Sequence, residues 1–170
     1  GGAANPMPID TSVIGKVSAR RVVAVERAPV SVFAKAVKDR SRVYQDPREA
    51  ESAGFASIPA PPTFPFAMPY WGEHAELQDG LEPVGSNPMW EVMGKLGPGL
   101  VLHGEQEFEY SRPVMVGDVL EAEDVLSDVY QRETDTHVMT FMVTETEWKV
   151  KGTGEHVVTA RFNLVHRARK

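Results

Sequence analysis

The stretch IPAPPTFPFAMPYWGEHAEL, residues 58–77, decides the fold. Its centre carries Phe, Met, Tyr and Trp side chains and no charge. Thr63 is a residue type that caps helices, and prolines are tolerated in a first helical turn. We therefore predict a helix over about 63–72 that is apolar all round, which implies burial on every side. Pro69 predicts a kink or an early end of this helix.

Downstream of this helix the sequence changes to β-type patterns. LHGEQEFEY, residues 102–110, alternates strictly, which predicts a strand with Gln106 and Phe108 on one face and His103 and the glutamates on the other, solvated face. Three long strands are predicted next, at about 119–131, 136–150 and 154–166. The second of these is apolar on both faces through its middle, which is typical of a central strand.

Upstream, the chain is mainly helical. VVAVE, residues 22–26, is a short apolar run that fits a strand. APVSVFAKAVKD, residues 28–39, has the spacing of an amphipathic helix, with Ser31 as a possible cap. A second short helix is predicted between the cap Asp46 and the stop signal Gly54.

Helices, one apolar helix and then long antiparallel strands predict an α+β domain. A sheet of this kind must wrap around something apolar, and the helix at 63–72 is the element that fits, so we predict a single hot-dog fold over residues 7–170. We interpret residues 1–6 as an expression scar. The polar, Gly- and Pro-rich residues 72–99 are interpreted as an excursion of the lid or binding-loop type.

Composition excludes several function classes. The 170 residues carry a net charge of −6 and no cysteine. No basic stripe is present, so nucleic acid is not expected as a partner. The five histidines form no metal-binding spacing, and we expect neither a metal nor another cofactor. No apolar run is long enough to cross a membrane and no signal peptide is visible, so the expected location is the cytoplasm.

Two motifs carry a resemblance to a known family. PPTF, residues 61–64, followed by HGEQEFEYSRPVMVGDVLEAE, residues 103–123, resembles the MaoC-like hot-dog dehydratases. The closer likeness is to their N-terminal-type branch, which includes HadA-like subunits of (3R)-hydroxyacyl thioester dehydratases. The likeness runs from about Ile14 to Val165.

The resemblance implies reversible hydration of a trans-2-enoyl thioester. In catalytic members an Asp and a His, in the pattern D-x-N-P-[IL]-H, hold the reacting water as general base and acid. A backbone N–H at the start of the central helix binds the thioester oxygen. In this chain Asp39 matches the acid, but Tyr44 replaces the His. Pro61, which has no N–H, replaces the oxyanion glycine, and Thr63 is a possible substitute donor.

Other candidate site residues have two readings each. An aromatic set fits either the core or a substrate-binding acyl tunnel: Phe64, Phe66, Tyr70, Trp71 and Trp90. Asp39 is either the matched acid or a local cap. His103 is either a surface side chain or a catalytic substitute for the missing His.

Three functions compete. The first is a (3R)-hydroxyacyl thioester dehydratase or trans-2-enoyl hydratase acting on coenzyme A or acyl-carrier-protein (ACP) thioesters, with this chain as the substrate-binding subunit. It implies a homodimer or a heterodimer with a catalytic MaoC-type subunit. The second is a non-catalytic acyl-thioester binding protein. The third is a hot-dog thioesterase, which the absence of Asp or Glu in residues 60–72 disfavours.

Overall fold

The computed structural model describes residues 9–18, 20–74, 76–78 and 87–170. Within these ranges the chain forms four α-helices: α1 Arg27–Ala36, α2 Pro47–Ser52, α3 Phe64–Gly72 and α4 Met89–Met93. It also forms six strands: β1 Arg21–Ala24, β2 Leu100–Tyr110, β3 Val119–Ala122, β4 Asp124–Glu133, β5 His137–Val150 and β6 His156–Arg169. The predicted expression scar and most of the middle of the predicted excursion lie outside the described residues.

The strands form one antiparallel sheet in the order β1-β3-β5-β6-β2, and β4 also pairs with β5. The prediction that the strand at 136–150 is central is confirmed, since β5 pairs with β3, β4 and β6. The single strand predicted at about 119–131 is wrong, because the chain breaks at Glu123 into β3 and β4. The break precedes Asp124, whose buried carboxylate accepts a hydrogen bond from Thr146.

Helix α3 packs into the concave face of the sheet, as predicted. Phe64 and Met68 are fully buried in a core that includes Trp148 of β5. Gly72 is required at the end of the helix, because a Cβ there would lie 2.4 Å from the carbonyl oxygen of Val22 in β1. The α+β hot-dog arrangement expected from the sequence is therefore confirmed.

The expectation that α3 is buried on every side is wrong for one face. Phe66 is 40% exposed and Tyr70 is 56% exposed. Pro69 lies inside the helix without ending it, and α3 continues to Gly72. The apolar residues of α3 thus serve two surfaces, one in the core and one that opens outward.

The two upstream helices follow their sequence signals unequally. Asp46 caps α2 as predicted, accepting a hydrogen bond from the backbone N–H of Arg48. Ser31 does not cap α1, which begins at Arg27. The Ser31 hydroxyl instead contacts the side chain of Gln45, 2.5 Å away, and so joins α1 to the turn that follows it.

Helix α4, from the described part of the predicted excursion, covers a second apolar cluster. Met89 and Val92 of α4 pack with Leu126 and Met142 on β4 and β5. Asn87, just before α4, accepts a hydrogen bond from the backbone N–H of Met89 through its side-chain oxygen. This part of the excursion is therefore packed on the domain and forms a wall beside α3.

Candidate functional site

Asp39 and Tyr44 lie at the end of α1, where the chain turns sharply. Lys38 adopts a left-handed backbone conformation with φ of 61°, and the Asp39 N–H bonds back to the carbonyl oxygen of Ala34. The Asp39 carboxylate accepts a hydrogen bond from the Ser41 N–H at 3.0 Å. One carboxylate oxygen thus has the local capping role that was one of its two readings.

Tyr44 ends a short 3-10 turn, Arg42–Tyr44. Burial raises the pKa of its phenol above the ordinary value of 10.0, and the negative charge of Asp39 raises that pKa further. The sign follows from the phenolate, which is disfavoured both by loss of water and by a neighbouring anion. The Tyr44 hydroxyl therefore stays protonated at neutral pH and is able to hold a water but not to take its proton.

Tyr44 opens onto a cavity of about 380 Å³, which we call the Tyr44 cavity. It is lined by Val43, Tyr44, Phe55, Pro59, Ala60, Pro62, Tyr110, Ser111, Arg112 and Pro113. The Tyr110 hydroxyl donates a hydrogen bond to the carbonyl oxygen of Pro62 at 2.6 Å. Burial, and then Tyr44, raise the pKa of Tyr110 as well. Two neutral phenols therefore belong to this cavity, which lies next to the start of α3.

The start of α3 offers few backbone donors. Pro61, Pro62 and Pro65 have no N–H. The Phe64 N–H is already bonded to the carbonyl oxygen of Pro61 at 2.9 Å. Thr63 is then the residue within 61–65 that has an N–H and makes no hydrogen bond through it to a described residue. The free N–H groups of a helix's first turn are able to hold an anion, and in α3 they are reduced to a single candidate donor.

A second cavity, of about 350 Å³, lies between α3, α4 and the inner face of the sheet. We call it the Gln106 cavity. Three of the predicted substrate-binding side chains line it: Phe66, Tyr70 and Trp90. The rest of the lining is Arg21, Pro65, Pro69, Glu73, Asn87, Met89, Gln106, Asp124, Thr144, Thr146, Trp148, Ala160 and Phe162.

One side of the Gln106 cavity is built from charged residues. Arg21 of β1 contacts Asp124 at 2.8 Å and Glu73 at 3.0 Å. Asp124 also accepts hydrogen bonds from Thr146 and Asn87. A buried carboxylate is tolerated when it is paired and hydrogen-bonded in this way. The pairing joins β1, the end of α3 and the residue before α4 into one wall.

His103 occupies a position that strict alternation did not predict. His103 pairs with Leu164 and Glu105 pairs with Asn163, so Gly104 forms a β-bulge. A Cβ at Gly104 would lie 2.8 Å from a methyl group of Val165, which explains the glycine. The bulge turns His103 toward α3, where its ring centroid is 5.1 Å from that of Phe66.

The other predicted site residues are spread over different surroundings. Phe64 lies in the core and Trp71 packs against it. Pro61 is buried, while Thr63 is exposed at the start of α3. Neither Asp39 nor His103 lines the two cavities described above.

Several residues of the cavities were missed by reading the sequence. Gln106 carried a signal, because it is a polar residue on the face that the alternation assigned to Phe108 and Tyr110. Arg21 and Asp124 carried none, since a charged residue beside a short strand normally lies in solvent. Their role as a wall of the cavity comes from the ion pair between Arg21 on β1 and Asp124 on β4, which only the structure shows.

The described residues include no group of three or more His, Asp or Glu side chains placed to hold a metal ion. Among these same residues, no helix has both the length and the apolar character needed to span a membrane.

An antiparallel sheet wrapped around one helix, with a cavity of about 350 Å³ beside that helix, is the hot-dog arrangement. Residues 12–160 match the family of FAS1-like dehydratase domain regions, and the chain belongs to this family. It is 32% identical over 163 residues to a UPF0336 protein of Saccharopolyspora erythraea, covering 95% of this chain and 93% of the relative.

Two solved structures from Mycobacterium tuberculosis share the fold. One is the HadBC (3R-hydroxyacyl-ACP dehydratase) complex, with a TM-score of 0.68 and 21% identity over 91% of this chain and 98% of that one. The other is the ChsH1–ChsH2 complex, with a TM-score of 0.70 and 22% identity over 88% and 83% of the two chains. The resemblance deduced from the PPTF and strand motifs is therefore confirmed at the level of family and fold.

Proposed function

We propose that this chain binds the acyl part of a trans-2-enoyl or (3R)-hydroxyacyl thioester, on coenzyme A or ACP. It does so as the substrate-binding subunit of a dehydratase whose Asp and His come from a MaoC-type partner. The observation that carries the proposal is the replacement of the family's His by Tyr44. Tyr44 stands at the position of the family's His, and burial and the charge of Asp39 hold its phenol in the protonated form.

The chemistry needs two groups that this chain supplies poorly. Adding water across the enoyl double bond requires a base for the water proton and an acid for the carbon next to the thioester, and such catalysis contributes about 10²–10⁴-fold in rate. The developing charge on the thioester oxygen requires an N–H donor, and one such donor contributes about 10²–10³-fold. Tyr44 lacks the basicity for the first role, and Pro61 lacks the N–H for the second.

Binding, in contrast, is well provided for. The Gln106 cavity has a volume of about 350 Å³, within the ordinary range for small-molecule sites of roughly 300–1,000 Å³. Phe66, Trp90 and Phe162 give it aromatic walls. Burial of an apolar chain against such walls contributes about 25 cal/mol per Å² of area removed from water. An acyl group is the part of the substrate that gains most from this surface.

The free side of β2 supports the partner part of the proposal. Strand β2 has eleven residues and pairs with β6 on one side, and no described strand pairs with its other side. Leu100, Val101 and Leu102 are each more than 40% exposed there. The apolar start of β2 is normally covered in an edge strand, and a partner's strand that continues the sheet would cover it. The related folds HadBC and ChsH1–ChsH2 are themselves two-chain complexes.

The test is hydration of crotonyl-CoA and of a longer trans-2-enoyl-CoA, followed as loss of the enoyl absorbance. The purified chain alone should bind these thioesters without hydrating them. Adding a partner chain with an intact D-x-N-P-[IL]-H motif should produce turnover that Asp39→Asn in this chain leaves intact.

Other outcomes separate the alternatives. Turnover by the chain alone that Asp39→Asn abolishes would mean that the homodimer is the enzyme. Binding without turnover with any MaoC-type partner would make the chain an acyl-thioester binding protein. Release of free coenzyme A thiol would indicate a thioesterase, a function that the uncharged α3 does not favour.

A further inference from the structure

The outer face of the sheet, which is turned away from α3, carries a row of apolar side chains. Residues that pair directly across antiparallel strands point to the same face of the sheet. The register places four such residues in line across β4, β5, β6 and β2: Tyr130, Phe141, Val165 and Leu102. We call these four residues the outer row. The rings of Tyr130 and Phe141 stack with centroids 4.8 Å apart, as expected for two side chains on one face.

The outer row is not part of the core that the described helices cover. Successive strand residues point to opposite faces, and the neighbours Met142 and Leu164 lie in the cluster beneath α4. No outer-row residue belongs to either described apolar cluster. Leu102 is 41% exposed, and Tyr130 and Phe141 are half-buried. A sheet face that meets only water is normally polar, so a contiguous apolar row there indicates an interaction surface.

Charges of opposite sign flank the outer row. Two residues along the strands on one side, Arg132 and Arg167 share the outer face through their pairing with Met139. Two residues along on the other side lies Asp128, which is paired with Val143. Arg132, Arg167 and Asp128 are exposed and form no salt bridge with a described residue. The negative side continues with four glutamates around one arginine: Glu105, Glu107, Glu109, Glu145 and Arg161.

This distribution of charge is complementary to itself. Two sheets pack face to face with their strands nearly aligned. Rotation by 180° about an axis along the outer row turns two copies face to face and reverses the strand direction. The apolar rows then meet, and the positive side of each copy lies over the negative side of the other. An axis along the strands would instead bring like charges together.

The outer face is also large enough for a stable dimer. Strands β4, β5, β6 and β2 have 10, 14, 14 and 11 residues. At about 3.3 Å per residue and about 4.8 Å per strand, they span about 780 Å². Each partner in an interface of standard size contributes roughly 800 Å².

We propose that this chain dimerises through the outer faces of two sheets, with the outer rows packed together along a two-fold axis. In this arrangement Arg132 of each copy faces Asp128 of the other, so the pair occurs twice in the dimer. The Gln106 cavity lies on the inner face and stays open, and the free edge of β2 remains available to a different chain. The inference therefore goes beyond the proposed function and does not depend on it.

A charge swap tests the arrangement. Sedimentation velocity of the full chain over a range of concentrations gives the dissociation constant of the dimer. Asp128→Arg and Arg132→Asp each bring like charges together at two symmetric positions, and we expect each to raise that constant at least about tenfold. The double variant restores both pairs with their signs exchanged and should return the constant to within about threefold of the wild type.

Two further variants separate the outer face from the rest of the surface. Glu51→Arg makes the same change of charge as Asp128→Arg on exposed α2, whose Ala50 packs into the core beneath the sheet, and should leave the constant unchanged. Phe141→Thr removes a ring from the outer row but keeps a residue type suited to strands, and should weaken the dimer. Circular dichroism shows whether each variant is folded.

The remaining results overturn the inference. A chain that is monomeric at every concentration has no such interface, and the proposed function then stands unchanged. A dimer that neither charge variant nor Phe141→Thr weakens uses another surface, such as the edge of β2. A dimer lost in both single charge variants and not recovered in the double variant excludes the pairing of Arg132 with Asp128, and with it the axis along the outer row.

Discussion

Gly72→Ala tests how closely α3 must approach the sheet. A Cβ at this position would lie 2.4 Å from the carbonyl oxygen of Val22, whereas real Cβ atoms essentially never come within 3.0 Å of another atom. The obstacle is backbone in β1, so the helix or the strand must move by about half an ångström or more. Overpacking of this kind costs about 1–3 kcal/mol.

Part of that cost is offset, because Ala is better than Gly in a helix by about 1 kcal/mol. We expect Gly72→Ala to lower the free energy of unfolding by up to about 2 kcal/mol, the overpacking cost of about 1–3 kcal/mol less this offset of about 1 kcal/mol. For a chain of this size the change corresponds to a fall in melting temperature of up to roughly 8 °C, measured by circular dichroism and checked by urea denaturation.

Gly94→Ala is the matched control, since its added Cβ would lie 3.4 Å from the nearest atom, the carbonyl oxygen of Trp90. That is ordinary van der Waals contact, and the backbone there has a helical φ of −63°. We expect this variant to be as stable as the wild type or slightly more stable. If Gly72→Ala matches Gly94→Ala in melting temperature, the close approach of α3 to β1 is not the constraint argued above.

Three further predictions concern Tyr110, Tyr44 and the edge strand β2. Tyr110→Phe removes the hydrogen bond to the backbone at the start of α3 and should cost about 1 kcal/mol in urea denaturation; an unchanged midpoint would contradict the bond. Because the folded-state pKa of Tyr44 is raised, the folded chain holds this proton more tightly than the unfolded chain, so the stability lost on raising the pH above 10 should be smaller in Tyr44→Phe, as measured by denaturation at a series of pH values. Leu102→Lys puts a charge on the free edge of β2 and should abolish the complex with a MaoC-type partner chain in size-exclusion chromatography with light scattering, while a variant that still assembles would show that β2 is not the interface.

The elements that the sequence predicted well are those whose composition allows few packing arrangements. The run from Phe64 to Gly72 has no charge, and a helix of that composition is stable only when tertiary packing buries most of it. Likewise, the middle of β5 is apolar on both faces, which suits only a central strand. Local composition was enough in both cases to identify the element and its neighbours.

The elements that were predicted wrongly depend on contacts distant in sequence. The isolated Gly104 inside a strand pattern was the one local signal of a bulge, and the methyl group of Val165 that excludes a side chain there lies on the neighbouring strand. The strand breaks before Asp124, and the contacts that hold Asp124 come from Arg21 and Thr146, which are distant in sequence. Alternation read along one strand carries no information about such cross-strand contacts, and a one-residue shift reverses every assignment of faces beyond it.

The prolines around α3 connect the fold to the division of labour proposed for this chain. Pro61, Pro62 and Pro65 fix the backbone where the helix begins, which lowers the entropy lost on folding. The same residues remove the N–H groups with which a helix start would hold the thioester oxygen. In the proposed function Tyr44 separately replaces the base, so neither deficit follows from the other. That proposal therefore gives this chain the cavity along α3 as its part of the site and gives the proton transfers to a partner subunit.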